Sequence, residues 1–148
     1  IAMLGTLFGL PEMRERLGYE KPILVEEFLP GKDLSAGIIG NPPDSYRVLP
    51  LLEEDYSLLP PELPKICGYE TKWVPDSPYR DIRPVPAVLS DENRKLIIEC
   101  CLKLFERLAC RDYCRFDWRL DGKGKPKLLE VNPIPVVLGR PHGEDGKA

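Results

Sequence analysis

Apolar and polar residues alternate along two stretches near the C-terminal end of the chain, and this pattern predicts a β-hairpin. In residues 114–120 one face carries the apolar side chains Cys114, Phe116, Trp118 and Leu120, and the other carries Arg115, Asp117 and Arg119. Residues 121–126, Asp-Gly-Lys-Gly-Lys-Pro, are typical of a turn, and residues 127–132 form the predicted return strand.

A helix is predicted over residues 90–109. Ser90 is a suitable N-cap, and Asp91 and Glu92 suit the first turn, where the helix dipole favours negative charge. The apolar positions that recur at helical spacing, and that are expected to face the core, are Leu96, Ile97, Cys100, Cys101, Leu104, Phe105 and Leu108.

The remaining pattern predicts shorter elements. They are a helix over residues 11–17 and strands over residues 23–29, 33–39 and 46–51. Residues 53–85 are rich in proline and charge, and are interpreted as a functional loop because they contain Tyr69, Trp73 and Tyr79. Strands and one long helix without regular βαβ spacing indicate a mixed α+β fold.

Composition narrows the function classes. Hydrophobic residues make up 43% of the 148-residue chain and charged residues 30%, which suits a single globular domain. The net charge is −3 and basic residues are scattered among acids, so nucleic-acid binding is not predicted. No apolar run approaches the roughly 20 residues of a membrane helix, so no membrane partner is predicted.

The five cysteines are an odd number and include the adjacent pair Cys100 and Cys101, which is a poor disulfide framework. Zinc ligation is the weaker alternative, because there is no Cys-x-x-Cys pair and one histidine, His142. Reduced thiols, in the core or at the surface of a cytoplasmic protein, are the favoured interpretation. The chain begins at Ile1, which suggests a part of a longer protein.

The predicted hairpin brings two carboxylates together. If Asp121 pairs with Pro126, Asp117 lies opposite Glu130 and Arg115 lies opposite Asn132, all on one face because strand side chains alternate. The other face, with Phe116, Trp118, Leu129 and Val131, is expected to be buried.

Opposed carboxylates repel each other unless a cation neutralises them. Magnesium prefers carboxylate, carbonyl, water and phosphate oxygens, and Asn132 adds an amide oxygen two residues beyond Glu130. Arg115 adds a positive charge, which suits phosphoryl transfer. The alternative is a solvent-exposed hairpin face whose charges are incidental.

Three motifs resemble the D-alanine–D-alanine ligase group of ATP-grasp enzymes. They are Arg115-Phe116-Asp117 with residues 128–133, Leu-Leu-Glu-Val-Asn-Pro; residues 25–34, Val-Glu-Glu-Phe-Leu-Pro-Gly-Lys-Asp-Leu; and residues 69–72, Tyr-Glu-Thr-Lys. The resemblance implies the C-terminal part of an ATP-grasp fold, a mostly antiparallel sheet with packed helices. Residues 1–141 would form a partial ATP-grasp domain and residues 142–148 a polar tail, with the N-terminal substrate domain and the phosphate lid outside this chain.

The resemblance also implies residue roles. Glu26 and the backbone of Glu27 and Leu29 would bind adenine, Asp33 the ribose hydroxyls and Lys72 the phosphates. Asp117, Glu130 and Asn132 would hold two magnesium ions, with Mn²⁺ as an alternative metal. Arg115 would be catalytic and stabilise the oxyanion formed when an amine attacks an acyl phosphate.

The function implied is an ATP-dependent carboxylate–amine ligase, with ATP, a small carboxylate and an amine as partners and a homodimer left open. The alternative is a degenerate nucleotide-binding module with a regulatory or scaffolding role. Val136 stands where the dipeptide ligases have a glycine, Pro141 where they have a serine, and Trp73 where they have a tyrosine. The product therefore stays open between D-alanyl-D-alanine and another amide.

Overall fold

The computed structural model describes residues 26–43, 45–68, 71, 74 and 76–133. The predicted helix over residues 11–17, the start of the strand over residues 23–29, and Lys72, Val136 and Pro141 lie outside these ranges. Among the described residues, no helix has the length and apolar character needed to cross a membrane.

Six strands in the described ranges form one antiparallel sheet. They are β1 (Asp33–Ile39), β2 (Arg47–Val48), β3 (Leu52–Asp55), β4 (Arg83–Pro86), β5 (Tyr113–Leu120) and β6 (Pro126–Asn132). The order across the sheet is β4-β3-β1-β5-β6, and β2 pairs with β1. The predicted strand over residues 33–39 and the predicted hairpin are confirmed.

The core lies on one face of this sheet, where helix α1 (Asp91–Arg107) packs. Alternation along β1 and β5 sends apolar side chains to that face, because successive strand residues point to opposite sides. The buried cluster includes Leu34, Ala36, Ile38, Cys114, Phe116, Trp118 and Leu120 from the strands, and Ile97, Cys101 and Phe105 from the helix. The other face of β1 and β5 therefore carries their polar side chains.

Helix α1 begins as predicted, since the Ser90 side chain caps the backbone N–H of Asn93. The buried positions Ile97, Cys101 and Phe105 follow at four-residue intervals and form a narrower stripe than predicted. Leu96 and Leu108 are exposed, so their assignment to the core face was wrong. Both lie at the edges of the predicted apolar stripe, and they point away from the sheet because the helix packs along the central row of that stripe.

The hairpin contains a β-bulge that the sequence pattern does not reveal. Beyond the bulge the register shifts by one residue, so Leu120 and not Asp121 is paired with Pro126. The bulged residue is Leu129, whose side chain is 54% exposed, so its prediction as a buried residue was wrong. The turn is tight because the Asp121 carboxylate accepts from the backbone N–H groups of Lys123 and Lys125 at 2.9 Å each.

Residues 53–85 are more regular than predicted. They contain most of β3, most of β4 and the 3-10 helix Pro78–Asp81. The strand β4 includes Pro84 and Pro86, which an edge strand accommodates because prolines cannot donate to a second neighbour. The strand predicted over residues 46–51 is reduced to Arg47–Val48, and residues 26–29 form no strand.

The segment that leads into β1 lies directly against β5. The backbone N–H of Gly31 donates to the carbonyl of Leu120 at 3.0 Å, and a Cβ at Gly31 would lie 2.5 Å from that oxygen. Next to it, the Lys32 ammonium pairs with the Glu53 carboxylate at 2.7 Å. Glycine at this position permits the close approach of the two backbones. The contact fixes the path of residues 26–30 relative to β5.

Candidate functional site

The polar face of β5 and β6 brings together the side chains that the sequence placed there. Asp117 is directly opposite Glu130, and Arg115 is directly opposite Asn132. The Asp117–Glu130 pairing is as predicted, although the turn register assumed for it was wrong, because the bulge at Leu129 compensates for the shifted turn. On its other side β5 pairs with β1, so Ser35 lies opposite Asp117 and Gly37 opposite Arg115.

Arg115 binds Asp117 through both oxygens of the carboxylate. The distances are 2.7 Å from Nε to Oδ1 and 2.8 Å from Nη2 to Oδ2, the bidentate geometry that a guanidinium forms best. The Nη2 atom also lies 4.0 Å from the Glu130 carboxylate. The hydrogen bond to Asp117 raises the pKa of Arg115 further above its high ordinary value, so the guanidinium stays charged.

This donor set fits a hard divalent cation. Asp117 and Glu130 supply carboxylate oxygens, and the Asn132 amide supplies a neutral one on the same face. A carboxylate oxygen has more than one lone pair, so Asp117 can accept from Arg115 and still coordinate a metal. The Glu130 side chain is 60% exposed, which leaves its carboxylate accessible from solvent.

Asp33, the predicted ribose contact, is held by two side chains that the sequence analysis missed. Its Oδ2 atom accepts from Nη1 of Arg119 at 2.5 Å and also from the hydroxyl of Tyr56. Burial, followed by the hydrogen bond to Asp33, raises the pKa of Tyr56 far above its ordinary value, so the hydroxyl stays a donor. Arg119 was visible in the sequence only as one polar residue of an alternating strand.

The predicted adenine contacts lie in the segment that precedes β1. Glu26 and Glu27 are exposed, and the Leu29 carbonyl accepts a hydrogen bond from Nε of Arg119. The exposed ring of Phe28 lies 5.1 Å from the Arg119 guanidinium carbon, within the range of a cation–π contact. Lys72 lies outside the described residues, so its position relative to the other site residues stays a prediction.

Glu54 is a further carboxylate that the sequence analysis missed. Strand β3 pairs Glu53 with Leu34 of β1, so the next residue, Glu54, lies beside Asp33 on the polar face. Burial, followed by the charge of Asp33, raises the pKa of Glu54, and Arg115 opposes this effect. Residues 51–55, Leu-Leu-Glu-Glu-Asp, show no apolar–polar alternation, so the sequence pattern did not indicate a strand that would place Glu54 on this face.

Cys101 and Cys114 belong to the buried core, on the face of the sheet opposite this polar site. Burial raises the pKa values of Cys101 and Cys114 to about 12, which keeps both thiols protonated. Metal ligation requires the thiolate, so these two residues are suited to packing rather than to holding zinc. Cys101 is fully buried against the sheet and Cys100 is half-buried beside it, as the predicted helix face required.

Comparison with known proteins agrees with the fold and with the motifs. The family model described as D-ala D-ala ligase C-terminus matches residues 11–137. The solved structure of D-alanyl-alanine synthetase A from Vibrio cholerae superposes with a TM-score of 0.60 at 24% identity, over 84% of this chain and 35% of that one. The D-alanine–D-alanine ligase of Bacillus anthracis complexed with ATP gives 0.51 at 18% identity, over 90% and 33%.

The fold is therefore the C-terminal part of an ATP-grasp fold, and the resemblance to this group is confirmed. The chain belongs to the family of D-alanine–D-alanine ligase C-terminal domains.

Curated relatives cover the same region. D-alanine–D-alanine ligase of Carboxydothermus hydrogenoformans is 32% identical over 124 residues, which is 83% of this chain and 36% of the relative. The uncharacterized protein y4sG of Sinorhizobium fredii is 31% identical over 117 residues, 79% of this chain and 33% of the relative. The chain thus spans about a third of the length of the curated relatives it matches.

Proposed function

We propose that this chain is the nucleotide- and magnesium-binding part of an ATP-dependent carboxylate–amine ligase. The observation that carries the proposal is the direct opposition of Asp117 and Glu130, with Asn132 and Arg115 beside them on the face that also holds Asp33. The family provides the context, since curated relatives are named D-alanine–D-alanine ligases. In this proposal residues 1–141 form a partial ATP-grasp domain of a cytoplasmic protein.

The nucleotide would lie along the polar face between the segment before β1 and the metal corner. Glu26 and the backbone of Glu27 would receive the adenine edge, together with the Leu29 N–H, because the Leu29 carbonyl is bound to Arg119. Asp33 would accept from the ribose hydroxyls. Lys72 would contact the phosphates, where a cation offsets their charge.

Asp117, Glu130 and Asn132 would hold magnesium at the phosphate end of this site. The ion would neutralise charge on the phosphate oxygens as phosphoryl transfer proceeds. The guanidinium of Arg115, fixed by Asp117, would place a permanent positive charge beside the reacting carbonyl. A charge that is already oriented stabilises a developing oxyanion without further reorganisation.

The proposed reaction has two transfers. A carboxylate oxygen of the acid attacks the γ-phosphorus of ATP, ADP leaves, and an acyl phosphate forms. The neutral amine of the second substrate then attacks the acyl carbon, and phosphate departs with the former carboxylate oxygen. The proton lost by the attacking amine passes to solvent or to a nearby base, and the products are an amide, ADP and phosphate.

Coupled turnover tests the proposal. The full-length protein is incubated with Mg·ATP and a panel of small amino acids, singly and in pairs, and ADP and phosphate are measured. We expect release only when one substrate supplies a carboxylate and the other an amine. Turnover that is indifferent to both substrates contradicts ligase chemistry, and Mg·ATP binding without turnover for any pair favours a nucleotide-binding module with a regulatory role.

A further inference from the structure

Arg119 is the one charged residue among the described residues that is nearly excluded from solvent, with 6% of its surface exposed. It lies on the polar face of β5, directly opposite Asp33 of β1. A buried charge is unfavourable unless it is paired and hydrogen-bonded. The hydrogen-bond partners of the Arg119 guanidinium therefore indicate the role of this residue.

Each nitrogen of the guanidinium reaches a different segment. Nη1 donates to Asp33 Oδ2 at 2.5 Å, Nε donates to the Leu29 carbonyl and Nη2 donates to the Lys65 carbonyl. Its flat face also contacts the ring of Phe28. A planar group with donors at three nitrogens can make these bonds together, whereas the single nitrogen of a lysine cannot span the same partners.

The two ends of the expected nucleoside site are consequently joined through one side chain. Leu29 belongs to the segment expected to bind adenine, and Asp33 is the expected ribose contact. Tyr56 adds a second donor to the same Asp33 oxygen, Oδ2. No hydrogen bond from the described residues reaches Asp33 Oδ1, so this oxygen remains to accept from a ligand.

We propose that Arg119 is a positioning residue that, together with Tyr56, presents Oδ1 of Asp33 to the ribose hydroxyls, and so sets the selectivity for ribonucleotides over deoxyribonucleotides. The inference rests on the proposed function, because it requires that the polar face binds Mg·ATP. It assigns to Arg119 a role in orienting Asp33, with no contact to the reacting atoms.

The test compares the dissociation constants of Mg·ATP and of its 2′-deoxy and 3′-deoxy analogues, measured by calorimetry on the full-length protein. For the wild type we expect ATP to bind about tenfold more tightly than at least one analogue, the effect of one hydrogen bond to a charged acceptor. In Asp33→Asn and Arg119→Met this ratio should fall towards one. Arg111→Met, a change at an exposed arginine outside the site, is the matched control and should keep the wild-type ratio.

The ratio separates a positioning role from a structural one. If Arg119 merely stabilised the fold, its loss would weaken all three nucleotides equally and leave their ratio unchanged. Arg119→Lys keeps a charge for Asp33 and should restore part of the ratio, while overall affinity stays low because the Leu29 and Lys65 carbonyls lose their donor.

Tyr56→Phe keeps the test decisive if Arg119→Met does not fold, because it removes only the hydroxyl on Asp33 and should lower the same ratio. A wild-type ratio near one, or a ratio unchanged in a folded Arg119→Met, would overturn the inference. If Arg119→Met does not fold, a ratio unchanged in Tyr56→Phe would overturn it. Wild-type protein that binds none of the three nucleotides would instead contradict the proposed function itself.

Discussion

Asp33 and Arg119 lie directly opposite each other on strands β1 and β5 and form a buried ion pair of 2.5 Å. The side chains are 15% and 7% exposed, respectively, so solvent screens the pair only weakly. Because Arg119 also holds the Leu29 carbonyl, this pair couples the sheet to the segment that leads into it. The polar face is thus part of the folded framework as well as the candidate site.

Removal of one partner of this pair should therefore destabilise the fold. We expect Asp33→Ala to lower the free energy of unfolding by about 3 kcal/mol, since it leaves the Arg119 charge buried without its carboxylate. Urea denaturation measures the change. Glu99→Ala is the control, because the Lys95–Glu99 pair is exposed, spans 3.9 Å and should contribute less than about 0.5 kcal/mol. Equal effects of the two substitutions would contradict the buried pairing.

The metal corner should respond to loss of either carboxylate. Asp117→Asn and Glu130→Gln keep the side-chain shapes but remove the charges that attract a divalent cation, so Mg²⁺-dependent binding of ATP should weaken at least about a hundredfold. Calorimetric titration of the full-length protein with ATP, with and without magnesium, gives this comparison. Glu99→Gln, on the exposed side of α1, should bind as the wild type does. Unchanged magnesium dependence would assign both residues to an ordinary exposed hairpin.

The bulge at Leu129 makes a prediction that differs from simple alternation. Its side chain is exposed, so Leu129→Lys should change the free energy of unfolding by no more than about 0.5 kcal/mol. Phe116→Ala, at a fully buried neighbour on β5, should cost about 3–5 kcal/mol. Urea denaturation of the two variants tests the register, and a loss of more than about 2 kcal/mol in Leu129→Lys would place that residue in the core.

The hairpin of β5 and β6 shows which structural features the sequence pattern could predict and which it could not. Alternation in residues 114–120 and the turn composition predicted the strands and the buried face of β5, because both depend on local periodicity. The tighter turn at Asp121 and the compensating bulge depend on backbone hydrogen bonds that leave no periodic signal. The Asp117–Glu130 pair was therefore predicted correctly from a turn register that was wrong.

The sequence pattern also did not predict polar contacts between residues that lie far apart along the chain. Asp33 and the acidic residues before β1 were found because a family motif contains them. The partners of Asp33 lie 23 and 86 residues further along the chain, and they become neighbours only through sheet order. Tyr56 and Glu54 were hidden inside a stretch whose prolines resembled a loop, although an edge strand tolerates such prolines.

Glu54 should make stability depend on pH. Its pKa in the folded protein is raised by burial and by Asp33, so folding favours its protonated form. The contribution of Glu54 to the free energy of unfolding is fully present when the pH is below its ordinary pKa of 4.5. It is lost as the pH rises through the higher pKa that Glu54 has in the folded protein. The glutamine of Glu54→Gln does not ionise, so the variant does not lose this contribution. It should therefore gain stability relative to the wild type as the pH rises from 4 to 7.

Thermal unfolding of Glu54→Gln and the wild type across this pH range, in metal-free buffer, measures the difference. The gain should be absent at the acidic end and level off once Glu54 is ionised in the wild type. A difference between the two proteins that is constant with pH, or that shrinks as the pH rises, would contradict the raised pKa of Glu54.

The central claim is that a carboxylate is activated by ATP before an amine attacks it, and oxygen transfer tests this most directly. The acid substrate, once identified by coupled turnover, is labelled with oxygen-18 in its carboxylate and supplied to the full-length protein with Mg·ATP and the amine. Mass spectrometry of the released phosphate should find one labelled oxygen for each amide formed, because the phosphate leaves with the oxygen that attacked phosphorus. Amide formation with unlabelled phosphate would contradict an acyl-phosphate ligase.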